Sequence, residues 1–85
     1  MIQKIVTISG TTYFYDKFNK RVRRVPNVHI EHTDITKDNE WRGNIHYTYD
    51  PKVDERWFVS FEDGKCFHTT YVVSIEEWDE DERAD

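Results

Sequence analysis

The stretch RWFVSFEDGKCFHTTYVV, residues 56–73, decides the fold class. It contains two strand-like runs, Arg56 to Phe61 and Lys65 to Val73, on either side of Glu62-Asp63-Gly64. β-Branched and aromatic residues favour strands, and Asp followed by Gly is a strong turn signal. The stretch therefore predicts an antiparallel β-hairpin.

Two types of loop fit this hairpin, and they differ in which side chains of the two strands share a face. The first strand has one apolar row, Trp57, Val59 and Phe61. A two-residue turn at Asp63-Gly64 would place that row beside the polar row of the second strand, Cys66, His68 and Thr70. A three-residue loop with Gly64 in the left-handed conformation places it instead beside Phe67, Tyr71 and Val73. We favour the three-residue loop because it unites the apolar rows on one face.

The composition of the whole chain agrees with a β protein. The 85 residues include no Leu and one Ala, against eight Val, seven Ile, eight Thr and 13 aromatic residues. Leu and Ala, which fill the cores of helical proteins, are nearly absent, which excludes a helical bundle or a coiled coil. A chain of this length forms one domain. We expect a mainly β protein: a single small antiparallel sheet, or a partly open barrel, of five or six strands.

Further strand-like runs precede the hairpin at short spacing. They cover residues 2–9, 11–15, 21–33 and 44–49, with a turn at 16–20 and a long loop at 33–43. Pro26 has no amide hydrogen, so the third run is expected to bend, bulge or lie at an edge there. In the fourth run, alternation predicts that Ile45, Tyr47 and Tyr49 share one buried face.

The last ten residues have a different character. Residues 76–85 carry seven acids and one base, or −6, which leaves residues 1–75 of this −5 chain at +1. We therefore divide the chain into a β domain at 1–75 and an acidic C-terminal segment at 76–85. Ser74 and Glu77 fit a capping box, which favours a short helix, whereas repulsion between like charges favours a frayed tail.

The acidic segment suggests a protein ligand for a basic partner, since complementary charge steers association. Grooves that bind nucleic acid are natural targets, and Trp78 would be the aromatic anchor of the contact. The expected partner-binding residues are Glu76, Glu77, Trp78, Asp79, Glu80, Asp81 and Glu82. A charge run that only improves solubility is the simpler interpretation.

A basic cluster supports an alternative, a small β-barrel module that binds nucleic acid. Five cations lie within eight residues, and nearby rings would stack on bases. The residues of this alternative are Tyr13, Tyr15, Lys17, Lys20, Arg21, Arg23 and Arg24. Two other interpretations of the cluster remain. It would form a charged rim that keeps strand edges from pairing with other chains, or the acidic segment would fold over it and mask it.

Catalytic and metal sites find little support in the sequence. Cys66 and His68 share a strand face, but structural metal sites normally show two close Cys/His pairs. His29, Glu31 and Arg23 offer an acid–base set without a recognisable catalytic motif. The three glycines, Gly10, Gly43 and Gly64, are too far apart for a phosphate-binding loop. We predict no enzyme activity, no catalytic residues, no metal and no cofactor.

The sequence shows neither a secretory signal nor an apolar run of about 18 residues, and one cysteine allows no internal disulfide. We therefore expect an intracellular, cytoplasmic protein with no membrane contact. An exposed strand edge would allow a homodimer. The favoured function is a small non-enzymatic inhibitor that resembles DNA in charge and is directed at a basic, nucleic-acid-handling protein. The small size and aromatic-rich composition suit a virus-encoded antagonist.

Overall fold

Seven β-strands and no helix form in the part of the chain that the computed structural model describes, residues 2–26 and 40–78. The strands are β1 (Ile2–Thr7), β2 (Thr12–Asp16), β3 (Arg21–Val25), β4 (Trp41–Arg42), β5 (Ile45–Thr48), β6 (Arg56–Phe61) and β7 (Cys66–Trp78). They make one antiparallel sheet in the order β4-β3-β2-β1-β7-β6-β5. The predicted mainly β class is confirmed, with seven strands in place of five or six.

The long strand β7 joins the two halves of the sheet. Its first part pairs with β6, from Ser60 opposite Cys66, and its second part pairs with β1, as far as Ile2 opposite Trp78. The register shifts once in each of these pairings, on either side of Val72. Because such irregularities bend a strand and increase its twist, the half made by β1–β4 faces the half made by β5 and β6.

The two edge strands of the sheet are neighbours in the chain. Only Gly43 and Asn44 separate β4 from β5. The amide of Ile45 donates a hydrogen bond to the carbonyl oxygen of Lys20 (3.4 Å), and the amide of Glu62 donates one to the carbonyl oxygen of Asn44 (3.0 Å). The sheet is therefore strongly curled but not closed, which fits the predicted partly open barrel.

The core lies between the inner faces of the two halves. Its central side chain is Trp57, which is fully buried. The other buried members are Ile5, Tyr13, Tyr15, Val22, Ile45, Val59, Phe61 and Val72, with Phe67 and Ile75 packed against them. The indole N–H of Trp57 donates a hydrogen bond to the carbonyl oxygen of Tyr49 (2.8 Å), so its polar atom has a partner inside the protein.

The β6–β7 hairpin has the predicted three-residue loop. The amide of Phe61 donates to the carbonyl oxygen of Lys65 (2.8 Å), Gly64 has a φ of 91°, and Val59 lies opposite Phe67. The prediction fails further along β7, where Val72 is buried and Tyr71 and Val73 are about half exposed. The register shift beyond Phe58 is the reason, since one extra residue turns the following side chains to the other face.

Two other predictions require correction. Tyr47 is exposed instead of buried, because the register of β5 shifts between Ile45 and Tyr47, and Tyr49 is exposed as well. The expected long loop ends in a short strand, β4, which pairs with β3. Strand β3 ends at Val25, just before Pro26. The rest of the expected third strand and most of the loop, residues 27–39, lie outside the described residues.

The alternative of a short helix from Ser74 is wrong over the described residues. Residues 74–78 continue β7 and pair with β1, so the expected boundary at residue 75 falls within a strand. The β1 ladder satisfies the backbone groups of this segment, and Ile75 packs on the core. These gains outweigh the capping preference of Ser74 and Glu77. Residues 79–85 lie outside the described part.

The hairpin loop gives a test with a built-in control. Gly64→Ala should lower the free energy of unfolding by about 1–2 kcal/mol, because an alanine Cβ is strained in the left-handed conformation that Gly64 adopts. Gly43→Ala is the matched control, since an added Cβ there would meet no atom within 4 Å. Urea denaturation measures both changes. Equal losses in the two variants would contradict the proposed role of the loop.

Candidate interaction surfaces

The acidic segment begins on the sheet itself. Glu76 and Glu77 are both exposed on β7, with Glu76 opposite Lys4 and Glu77 opposite Gln3. Alternation along the strand directs these two carboxylates to opposite faces of the sheet. The other predicted acidic contacts, Asp79, Glu80, Asp81 and Glu82, lie outside the described residues.

Trp78 contacts its own sheet. Its ring lies 5.2 Å from the ring of Phe14 in a tilted arrangement, and the ammonium of Lys4 lies 5.1 Å from its centroid. The side chain is partly buried by these contacts. Trp78 therefore fixes the end of β7 on the outer face of the sheet, the face opposite the core.

The strand geometry of β3 divides the predicted basic cluster. Arg21 and Arg23 lie on the outer face, whereas Arg24 is buried on the inner face. Lys17 forms an ion pair with Asp50 (3.0 Å), which raises the pKa of Lys17. Lys20 is exposed in the β2–β3 turn. The five cations therefore do not form one surface.

Tyr13 and Tyr15 are core residues. The ring of Tyr13 stacks on Phe67 at 5.5 Å, and the ring of Tyr15 lies 5.1 Å from Trp57. Burial raises the pKa of Tyr15, as expected for a phenol removed from water. Neither ring is accessible to a base, so the described residues do not assemble the nucleic-acid site predicted around this cluster.

The outer-face arginines instead stack on aromatic rings. The guanidinium groups of Arg21 and Arg23 lie 4.2 and 5.3 Å from the ring centroid of Trp41, and that of Arg23 also lies 4.7 Å from the ring of Phe14. Phe14 is opposite Arg23, and Arg23 is opposite Trp41, in adjacent strands. This row covers the outer side of Phe14. The sequence did not reveal this row of stacked side chains, because Trp41 and Arg23 become neighbours only when β4 pairs with β3.

Asp16 organises the turn that precedes β3. It accepts hydrogen bonds from the backbone amide and the side-chain amide of Asn19 (3.2 and 2.8 Å) and from Nε of Arg21 (3.0 Å). Burial alone would raise the pKa of Asp16, but these hydrogen bonds and the charge of Arg21 outweigh it and lower the pKa. The predicted turn at residues 16–20 is therefore stabilised by an ionised, nearly buried carboxylate.

A second surface, which we call the aromatic face, was not anticipated. It is the outer side of β5, β6 and the first part of β7, together with Tyr49, which directly follows β5. Its residues are Tyr47, Tyr49, Arg56, Phe58, Ser60, Cys66, His68 and Tyr71. All three of its tyrosines are exposed: the exposed fraction is 54% for Tyr47, 39% for Tyr49 and 51% for Tyr71. In β6, simple alternation with the buried residues already places Arg56, Phe58 and Ser60 on the outer face. In β5 and β7 the register shifts break this alternation, so the sequence did not show that Tyr47, Tyr49 and Tyr71 are exposed.

Other site classes receive no support from the described residues. Cys66 and His68 do share a strand face, but no group of three His, Cys, Asp or Glu within residues 2–26 and 40–78 is arranged to hold a metal ion. His29 and Glu31 lie outside that part. Among the residues described, no helix has the length and apolar character needed to cross a membrane.

Comparisons with known proteins find no matching family, no similar curated protein and no similar solved structure.

The Asp16 contacts predict a pH dependence of stability. Because folding lowers the pKa of Asp16, its stabilising contribution is present above the unfolded value, about pH 4, and is lost as pH falls through the lower folded value. Asp16→Asn should destabilise the protein by about 1–3 kcal/mol at pH 7. It should also make unfolding less sensitive to pH between about pH 5 and 2.

Thermal unfolding at a series of pH values measures this difference. Asp50→Asn is the control, because Asp50 is 65% exposed and its ion pair with Lys17 contributes little. A parallel acid-induced decline in wild type and Asp16→Asn would rule out the assigned role of Asp16.

Proposed function

We propose that this protein is a small non-enzymatic inhibitor, which presents its acidic C-terminal segment to a basic, nucleic-acid-handling protein. The segment would occupy the partner's groove in place of the phosphate backbone. We further propose a cytoplasmic setting and a viral origin, which suit a small protein of this kind. Residues from Glu76 onward would carry the contact.

The observation that carries this proposal is that several of the domain's own cations already have partners, although Lys20, Lys52 and Lys65 are exposed. Lys17 pairs with Asp50, Arg21 with Asp16 and Arg42 with Asp63. Lys4 and Arg23 lie over aromatic rings. A segment that folded back onto these groups would compete with contacts that already exist. The internal masking considered from the sequence is therefore disfavoured, which supports an acidic segment directed toward another molecule.

The charge density of the segment supports mimicry of a nucleic-acid strand. Ten residues extend at most about 33–36 Å. The seven acids of residues 76–85 therefore give at least one negative charge per about 5 Å. One strand of DNA carries one charge per about 3.4 Å. The two densities are close enough for a basic groove to attract both.

The end of β7 provides a firm base for this segment. Glu76 and Glu77 are held by the ladder with β1, and the contact of Trp78 with Phe14 fixes the last described residue. An acidic run that starts from an ordered strand loses less entropy on binding than one attached through a flexible linker. Complementary charge would then accelerate the encounter with a basic partner, and salt would weaken it.

The test is removal of the part of the segment beyond Trp78, which keeps the residues that pair with β1. Truncation after Trp78 is the suitable variant, because a cut after Ile75 would also remove three residues that pair with β1. A second variant keeps the length and neutralises four charges: Asp79→Asn, Glu80→Gln, Asp81→Asn and Glu82→Gln. Both variants should fold like wild type and lose at least about tenfold in affinity for the partner.

The measurement is affinity capture from lysate of the native host at 50 and 150 mM salt, with excess duplex DNA as the eluting competitor. We expect a basic nucleic-acid-handling protein that is retained by wild type, lost with either variant and released by DNA. The control neutralises three exposed acids away from the segment, Glu40→Gln, Glu55→Gln and Glu62→Gln. The proposal is overturned if the segment variants retain the same proteins as wild type, or if the control loses them equally.

A further inference from the structure

The aromatic face defined above has no role in the core or in the acidic segment. On β6, the buried side chains Trp57, Val59 and Phe61 alternate with Arg56, Phe58 and Ser60, which point outward. Burial in the core therefore explains only one side of this strand. Exposed aromatic residues that cluster on one sheet face are typical of binding sites.

The rings of this face form a continuous row across three strands. The Tyr47 ring lies 6.4 Å from Tyr49 and 6.3 Å from Phe58, and the Phe58 ring lies 4.7 Å from His68. In the neighbouring cross-strand pair of β6 and β7, Arg56 lies opposite Tyr71. The guanidinium of Arg56 is 5.3 Å from the centroid of the tyrosine ring. The row thus combines flat rings with a cation at one end.

Hydrogen bonds to backbone carbonyl oxygens hold Thr48 and Tyr49 against β6. The Tyr49 hydroxyl donates to the carbonyl oxygen of Arg56 (2.9 Å), and the Thr48 hydroxyl donates to that of Phe58 (2.6 Å). The rings therefore project from paired strands whose positions are fixed before any ligand binds. Such preorganisation lowers the entropic cost of binding.

The charge of the three strand segments favours an anionic ligand. Residues 45–48, 56–61 and 66–71 contain no Asp or Glu, although the chain has 17 acids. The same segments contain one arginine and two histidines, Arg56, His46 and His68. The nearest acids along the chain lie in the flanking turns, at Asp50, Glu55, Glu62 and Asp63. The strands that carry the rings are thus free of carboxylates that would repel a phosphate backbone.

We propose that the aromatic face binds single-stranded nucleic acid by base stacking. Tyr47, Phe58 and Tyr71 would supply stacking surfaces, and Arg56 would contact the backbone phosphate. A single strand fits better than a duplex, because the π-faces of its bases are accessible to the rings. This site is distinct from the basic cluster at residues 17–24 and does not depend on the acidic segment.

Fluorescence anisotropy with labelled dT12, rU12 and a 12-base-pair DNA duplex tests the proposal, on the full chain in 50 mM salt. Wild type should bind at least one single strand more tightly than the duplex. Tyr47→Ala and Tyr71→Ala should each weaken that binding at least about fivefold. Arg56→Gln should reduce the slope of log affinity against log salt by about 0.7. The relative affinities for dT12 and rU12 show which of these two strands is preferred.

Phe18→Ala is the matched control, because Phe18 is an aromatic residue of 86% exposure outside the face. The unfolding midpoint of each variant checks that a loss of binding does not come from a loss of folding. The proposal is overturned if wild type binds neither single strand, or if Phe18→Ala loses as much as the tyrosine variants. A cellular protein whose capture depends on Tyr47 and Tyr71, without affinity for either oligonucleotide, would also overturn it.

Truncation after Trp78 separates this proposal from the inhibitor function. The truncated protein should bind single strands at least as tightly as the full chain, because it lacks five of the seven repulsive carboxylates of the segment, and should remain sensitive to Tyr47→Ala. Loss of single-strand binding upon this truncation would contradict an independent aromatic face, whatever the outcome of the capture experiment.

Discussion

The burial of Trp57 between the two halves of the sheet is the contact on which the rest of the structure depends. Its ring meets Tyr13 and Tyr15 from β2 and Phe67 from β7 at centroid distances of 5.1–6.2 Å. Its backbone amide donates to the hydroxyl of Thr69 (2.9 Å), where the ladder between β6 and β7 is irregular. One side chain thus fills the space between the halves and helps to fix the point at which β7 bends.

The bend in β7 also determines which side chains face the solvent. The register shifts near Val72 allow this one strand to contribute to both halves, and they direct Tyr71 outward beside Arg56. Beyond the bend, β7 follows β1 and carries Glu76, Glu77 and Trp78 to the end of the sheet. The aromatic face and the base of the acidic segment are therefore formed by different parts of the same strand.

The two proposed surfaces differ in charge and are compatible in one molecule. The cations on the outer face of β3 contact Asp16, Trp41 and Phe14, and the acidic segment would attract a basic protein under the proposed function. The aromatic face has no carboxylate in its strand segments, and bases would stack there without direct opposition. A protein with both sites would hold a single strand on one surface and recruit or block a basic partner through another.

The sequence by itself determined the β class, the three-residue loop with Gly64 and the turn at Asp16, because these depend on local propensity, backbone conformation and short-range hydrogen bonds. It also located the acidic excess in the last ten residues. It did not determine the bend in β7, the pairing of Trp41 with Arg23, or the burial of Tyr13 and Tyr15. Those features depend on which strands become neighbours and where a ladder gains one residue. A single such shift turns every later side chain to the opposite face, so only the tertiary structure decided which aromatic residues form the core and which remain exposed.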